Sequence, residues 1–175
     1  MSAALVAVVA VVLLGSGVVH LAHRGELRRA IALHAVLPRG LHGPAAWGLP
    51  SLEVLLGGAL LALLGLGSGR TGAAALLAGV LLAAMTAYVH VAARRSLGSV
   101  VPCGCGLGEA PLGLWVTVRA GLLTALAVIG ALTLGTPPAD RAGSELVVMG
   151  AATVALAIGI SVLPQARVTL TGVPR

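Results

Sequence analysis

The chain has 175 residues, of which 58% are hydrophobic and 9% charged, with a mean hydropathy of +1.07. An average soluble domain carries about 25% charged residues, so this surface cannot be water-covered throughout, and a soluble enzyme, a disordered segment and a nucleic-acid-binding module are excluded. The net charge of +6 comes from 11 Arg and no Lys, set singly or in pairs between apolar runs. That is the pattern of topology determinants at a membrane surface and not of a phosphate-binding face.

Crossing a bilayer core takes about 20 apolar residues in a helix, and five stretches qualify. The first covers about 3–22. It has no Lys or Arg ahead of it and is longer than a signal-peptide core, so it reads as a retained membrane helix. Residues 23–49 follow, with Arg24, Glu26, Arg28, Arg29 and Arg39 around Leu27, Ile31 and Leu33. This connection is expected to hold a short interfacial helix ended by Pro38 and Gly40. The second span covers about 50–68 and carries Glu53, and the third covers about 72–93 after the Gly67-Ser68-Gly69-Arg70 break. The connection 94–111 contains Pro102-Cys103-Gly104-Cys105-Gly106, and the fourth span, about 112–135, carries Arg119. Thr136-Pro137-Pro138 separates it from a fifth span at about 145–163, which Pro164 closes. Residues 1–135 are expected to form the main membrane unit, and 136–175 to add one helix and a short tail.

The expected fold is therefore all-α: a multi-pass transmembrane bundle of about five helices, with a Cys-Gly-Cys loop between the third and fourth. Gly57, Gly58, Gly121 and Gly130 lie within spans and read as close-packing positions between helices. Trp47 and Trp115 flank spans as interfacial anchors. By alternation, Arg24, Arg28, Arg29, Arg39, Arg94, Arg95, Arg167 and Arg175 share one side and only Arg70 and Arg141 the other. The positive-inside rule puts the cysteine loop on the cytoplasmic side. The same alternation brings His20, His23, Glu53, His90 and Arg119 to the end of the bundle that holds the cysteines.

Cys103 and Cys105 are the two cysteines of the chain, one glycine apart. A disulfide between them closes a small strained ring, which is easily reduced and hence oxidising. Inert thiols and half of a metal site are the other readings. A zinc site needs about four ligands, and His90 is the one nearby recruit, so no metal is assigned. Glu53 and Arg119 are charged residues inside apolar spans, which normally face a partner or a wet cavity. They read first as a mutual ion pair between the second and fourth helices, and second with Arg119 favouring a thiolate at the cysteines. His20 and His90 read first as interfacial histidines that hydrogen-bond locally. Acid–base help to a thiol ranks next, then haem ligation or contact with a quinone. No cofactor is identified from these residues.

The run Leu37-Pro38, then Leu49-Pro50-Ser51-Leu52-Glu53-Val54-Leu55-Leu56-Gly57, together with Pro102-Cys103-Gly104-Cys105-Gly106-Leu107-Gly108 and the downstream Arg119, resembles the methylamine utilisation MauE family, relatives of the DoxX-like membrane proteins. The resemblance covers roughly residues 1–135. It departs at Leu107, where the family carries an aromatic residue; this chain contains no Phe. The resemblance implies a multi-pass inner-membrane protein that supports processing or maturation of an exported, disulfide-rich client, the small subunit of methylamine dehydrogenase, with a thioredoxin-like partner. It also implies that Cys103 and Cys105 are the redox pair and that Glu53 and Arg119 are the intramembrane polar residues. The alternative is a non-catalytic membrane scaffold or chaperone subunit with the cysteine loop as its docking element. A transporter is weaker, because no internal symmetry or pair of broken helices marks a midplane site. Charge bias and the maturation of an exported disulfide protein favour opposite sides for the cysteines.

Overall fold

The computed structural model describes residues 2–95, 112–134, 155 and 157–159. Among the described residues all regular structure is helical, in the order α1 (Ser2–Ala22), α2 (Arg24–His34), a 3₁₀ turn (Arg39–Leu41), α3 (His42–Gly65), α4 (Thr71–Arg95) and α5 (Leu114–Thr133). Four of these segments are long and apolar enough to cross a membrane: Ser2–Ala22, Arg39–Gly65, Thr71–Arg95 and Leu114–Thr133. The protein is an all-α, multi-pass membrane bundle. Residues 155 and 157–159 are helical and Ala157 joins the buried core; the remainder of the expected fifth span lies outside the described residues.

Each spanning helix repeats its buried positions every three or four residues, which puts them in one stripe. On α1 the stripe is Val6, Val9, Leu13, Ser16 and His20, and on α3 it is Ala46, Pro50, Glu53, Gly57 and Leu60. On α5, Val116, Leu123, Ala127 and Gly130 are buried, and Arg119 falls on the same line, three residues after Val116. Helix α1 packs against α3 and α5, α4 packs against α5, and α3 meets α4, so the four helices close a ring.

Small residues set how closely the helices approach. A Cβ on Gly57 would stand 2.7 Å from the Leu14 nitrogen and 2.8 Å from the Ala10 oxygen, both backbone atoms of α1. Gly17 answers it from α1, where a Cβ would come within 2.9 Å of the Glu53 Cβ and the Pro50 oxygen. A Cβ on Gly130 would meet the Val6 side chain of α1 at 2.8 Å and its backbone nitrogen at 3.4 Å. Gly58 and Gly121 do not act so: Gly58 has nothing within 4 Å and Gly121 only Thr86 at 4.0 Å. Between α4 and α5, the hydroxyls of Thr86 and Thr124 lie 3.1 Å apart, a polar link of the kind that joins membrane helices.

Helix α3 starts at His42, eight residues before the apolar run, and carries Pro50 in its interior. Proline removes one backbone donor there, a loss that membrane helices tolerate where neighbouring side chains and helices re-satisfy the chain. Ser51 donates its hydroxyl to the Trp47 carbonyl at 2.8 Å in this turn. The helix closes on Gly67 at φ 60°. Ser68 N–H bonds to the Leu63 oxygen and Gly67 N–H to the Leu64 oxygen, the pairing of a Schellman stop.

The expected short helix after the first span is present as α2, and it ends at Ala35, three residues ahead of Pro38. Its buried side, Ala30, Ile31 and His34, lies toward the bundle. His34 Nδ1 meets the Tyr88 hydroxyl at 2.8 Å, and Arg95 donates to the Ala35 carbonyl at 2.6 Å. Both contacts tie α2 to the C-terminal end of α4. At the other end of α2, the Arg24 guanidinium sits 3.9 Å from the ring centre of Trp47, and the exposed indole is held by cation–π attraction.

Candidate functional site

The stripes of α1 and α3 meet at a polar cluster inside an otherwise apolar bundle. Glu53 is 1% exposed and His20 7% exposed, burial that a carboxylate and an imidazole sustain only with partners. His20 Nδ1 lies 3.1 Å from Glu53 Oε2. The Ser16 hydroxyl has the same oxygen at 3.3 Å and the Leu13 carbonyl at 3.2 Å. With the carboxylate ionised it only accepts, and the Nδ1 nitrogen then carries the hydrogen in that bond. The second ring nitrogen, Nε2, is buried and has no hydrogen-bond partner among the described residues.

Beside this cluster lies a cavity of about 80 Å³. Ser16, His20, Glu53 and Arg119 form its polar wall, and apolar side chains of α1, α4 and α5, Leu13, Leu82 and Val116 among them, form the rest. Arg119 and Glu53 therefore face one space, but the expected ion pair between them is not made. Among the described residues the one contact at ion-pair distance is His20 with Glu53, a charged pair only when the imidazole is protonated. The reason is register: Glu53 lies on the seam that α3 shares with α1, and Arg119 approaches from α5 across the cavity.

The arrangement pairs an imidazole, oriented by a carboxylate, with a guanidinium on another wall. A carboxylate behind a histidine fixes its tautomer and makes the far nitrogen the better base or ligand. Among the described residues no third metal-ligating side chain joins His20 and Glu53. His90 stands elsewhere, on an exposed face of α4 away from the cavity, and His23 bonds its own helix at the Val19 carbonyl. Cys103 and Cys105 lie outside the described residues. Ser16 was not among the residues singled out from sequence. Its signal is its spacing, four residues before His20 in a run with no other side-chain oxygen between Ala3 and His20.

The cavity runs from the middle of the bundle, where Glu53 lies eleven residues into α3 and Leu82 thirteen from the end of α4, toward one end. His20 is two residues from the end of α1, Val89 six from the end of α4 and Arg119 five from the start of α5. At 1.5 Å rise per residue these offsets are within about 9 Å of the helix ends. The 16-residue connection that carries the cysteines, 96–111, runs between those same ends of α4 and α5.

Four spanning helices around a buried carboxylate–imidazole pair define an integral membrane protein with a polar intramembrane pocket. The chain belongs to the family of the methylamine utilisation protein MauE, whose family model matches residues 1–133. Comparison with curated proteins and with solved structures gave no match.

Proposed function

We propose that this protein is a thiol–disulfide exchange protein of the cytoplasmic (inner) membrane that supports maturation of an exported protein. Cys103 and Cys105 are its redox pair, and a thioredoxin-like protein is its partner. The client that the family implies is the small subunit of methylamine dehydrogenase. The observation that carries this reading is the polar pocket built at the same end of the bundle as the helix ends joined by the cysteine-bearing connection. Exchange chemistry needs thiolates, and thiolates form beside cationic side chains and bases; Arg119 and His20 are the cation and the base at that end.

The proposed cycle balances without a bound cofactor. A partner thiolate attacks one sulfur of the Cys103–Cys105 disulfide, the S–S bond breaks, and the other sulfur leaves as a thiolate and takes a proton. The partner's second thiolate then attacks the mixed disulfide. The partner departs oxidised by two electrons and the pair is left as two thiols; the reverse sequence reduces a partner disulfide. The direction follows from the side of the membrane. Arg24, Arg28, Arg29, Arg39, Arg94 and Arg95 all belong to the cysteine end, which favours the cytoplasm and a reductant conduit. A pair outside would act as an oxidant.

Cys103→Ser and Cys105→Ser are each expected to abolish client maturation while the protein still inserts at normal abundance. A double Ser variant that supports full maturation would show the pair to be a docking element and the protein a scaffold.

A further inference from the structure

One buried group that faces the cavity lacks a partner among the described side chains, and a cation faces it across the same space. His20 Nε2 is buried without a hydrogen bond among the described residues, which leaves its lost hydration uncompensated. Arg119 brings a set of donors and no acceptor to the same space. With Nδ1–H committed to Glu53, neutral His20 presents a lone pair at Nε2. A group that satisfies both walls must accept from a guanidinium and donate to an imidazole. A hydroxyl does both; a carbonyl or a carboxylate only accepts.

Size narrows the choice. The cavity is about 80 Å³, whereas a cavity that takes a benzene ring measures about 150 Å³ and a water needs only about 10–15 Å³. A quinone headgroup is larger than benzene and exceeds that volume. Water does, in a short cluster bridging Arg119 and His20.

We infer that this cavity is a hydrated proton-exchange site within the membrane, in which His20 Nε2 takes a proton from water and releases it again, with Glu53 holding the imidazole from behind. Among the described residues the charged groups facing His20 across the cavity are Glu53 from α3 and Arg119 from α5; α4 contributes Leu82, Met85 and Val89 and no charge. Uptake at Nε2 converts the His20–Glu53 hydrogen bond into an ion pair and turns Nε2 from acceptor to donor, so the water cluster reorients without a change in the packing of α1 on α3. The site's use by the cysteines, as the acceptor and donor of the proton that each attacking thiol loses and each leaving thiolate regains, rests on the thiol-exchange reading above. The site itself does not.

The test is nitrogen NMR of the full chain, labelled at its five histidines with ¹⁵N and held in lipid nanodiscs. His20→Asn identifies the signal by its loss. Glu53→Gln identifies it by a shift if the first variant fails to fold. The expected result is that Nδ1 stays protonated from alkaline to acidic pH, that Nε2 moves from the unprotonated to the protonated position over that range, and that Nε2 shows exchange with water. A signal with the hydrogen on Nε2 and a bare Nδ1, one that does not move with pH, or one with no water exchange overturns the inference. An excess of a short-chain quinone is expected to leave the signal unmoved; loss of the water exchange on its addition identifies a quinone site instead. Repeating the titration in the Cys103→Ser/Cys105→Ser variant separates the two readings. An unchanged His20 titration there supports the site independently of the cysteines, whatever the maturation assay returns.

Discussion

Glu53→Ala is expected to lower stability by about 3–5 kcal/mol, measured by thermal unfolding in nanodiscs. Its carboxylate accepts from both His20 and Ser16 and is the negative charge opposite Arg119. Removing it leaves the guanidinium uncompensated at a membrane cavity, strands the His20 Nδ1–H and opens a void between α1 and α3. The size of the loss decides between two accounts. An ordinary interhelical hydrogen bond in a membrane averages about 0.6 kcal/mol. A loss near that value would mean that Glu53 is a neutral polar contact and not a charge that balances the pocket. Glu53→Gln keeps the size and an acceptor for Nδ1–H but not the charge, so it should fall between the wild type and Glu53→Ala. Equal stability of the Ala variant and the wild type would contradict the account.

Gly57→Leu is expected to separate α1 from α3 and to prevent stable assembly of the bundle. Even Gly57→Ala should lose about 1–3 kcal/mol through overpacking, because its Cβ would meet the Leu14 nitrogen at 2.7 Å and the Ala10 oxygen at 2.8 Å. Neither is the movable end of a side chain, so relief requires the helices to part. The His20–Glu53 and Ser16–Glu53 contacts cross the same seam and would stretch with it. Gly58→Ala is the control. With nothing within 4 Å of its Cβ, it should gain up to about 1 kcal/mol from helix propensity. The comparison is read by unfolding in detergent, and a Gly57→Ala protein as stable as Gly58→Ala would show that the close approach is not required.

The spans were legible because apolar runs of about 20 residues with at most one charge have few alternatives to membrane helices. Their ends were less so. Pro50 reads as a helix start in isolation, and the structure places it inside α3, which begins at His42. The role of Gly57 and Gly130 in close packing was legible in kind, yet the same reading covered Gly58, which faces open space, and Gly121, which meets only Thr86 at 4.0 Å. The difference is rotational position on the helix, which the buried stripe shows and composition does not. The pocket divides in the same way. His20, Glu53 and Arg119 stood out as polar residues in apolar runs, and alternation of the spans brought them to one end. Their pairing was not legible: a Glu and an Arg in two spans invite an ion pair, but the ring order puts α1 beside α3, and His20 takes the carboxylate. Ser16, an uncharged hydroxyl in an apolar run, draws notice only once His20 is known to face α3.

Cys103 and Cys105, as the proposed reversible redox pair, can be tested in the purified protein. The direct measurement equilibrates the purified protein in lipid with graded ratios of reduced and oxidised dithiothreitol, traps free thiols with a mass-tagging maleimide, and counts tags per chain. The account predicts a two-electron transition in which two tags are lost together, with one tag left in neither state. Two tags at every ratio, showing thiols that do not pair, would contradict it.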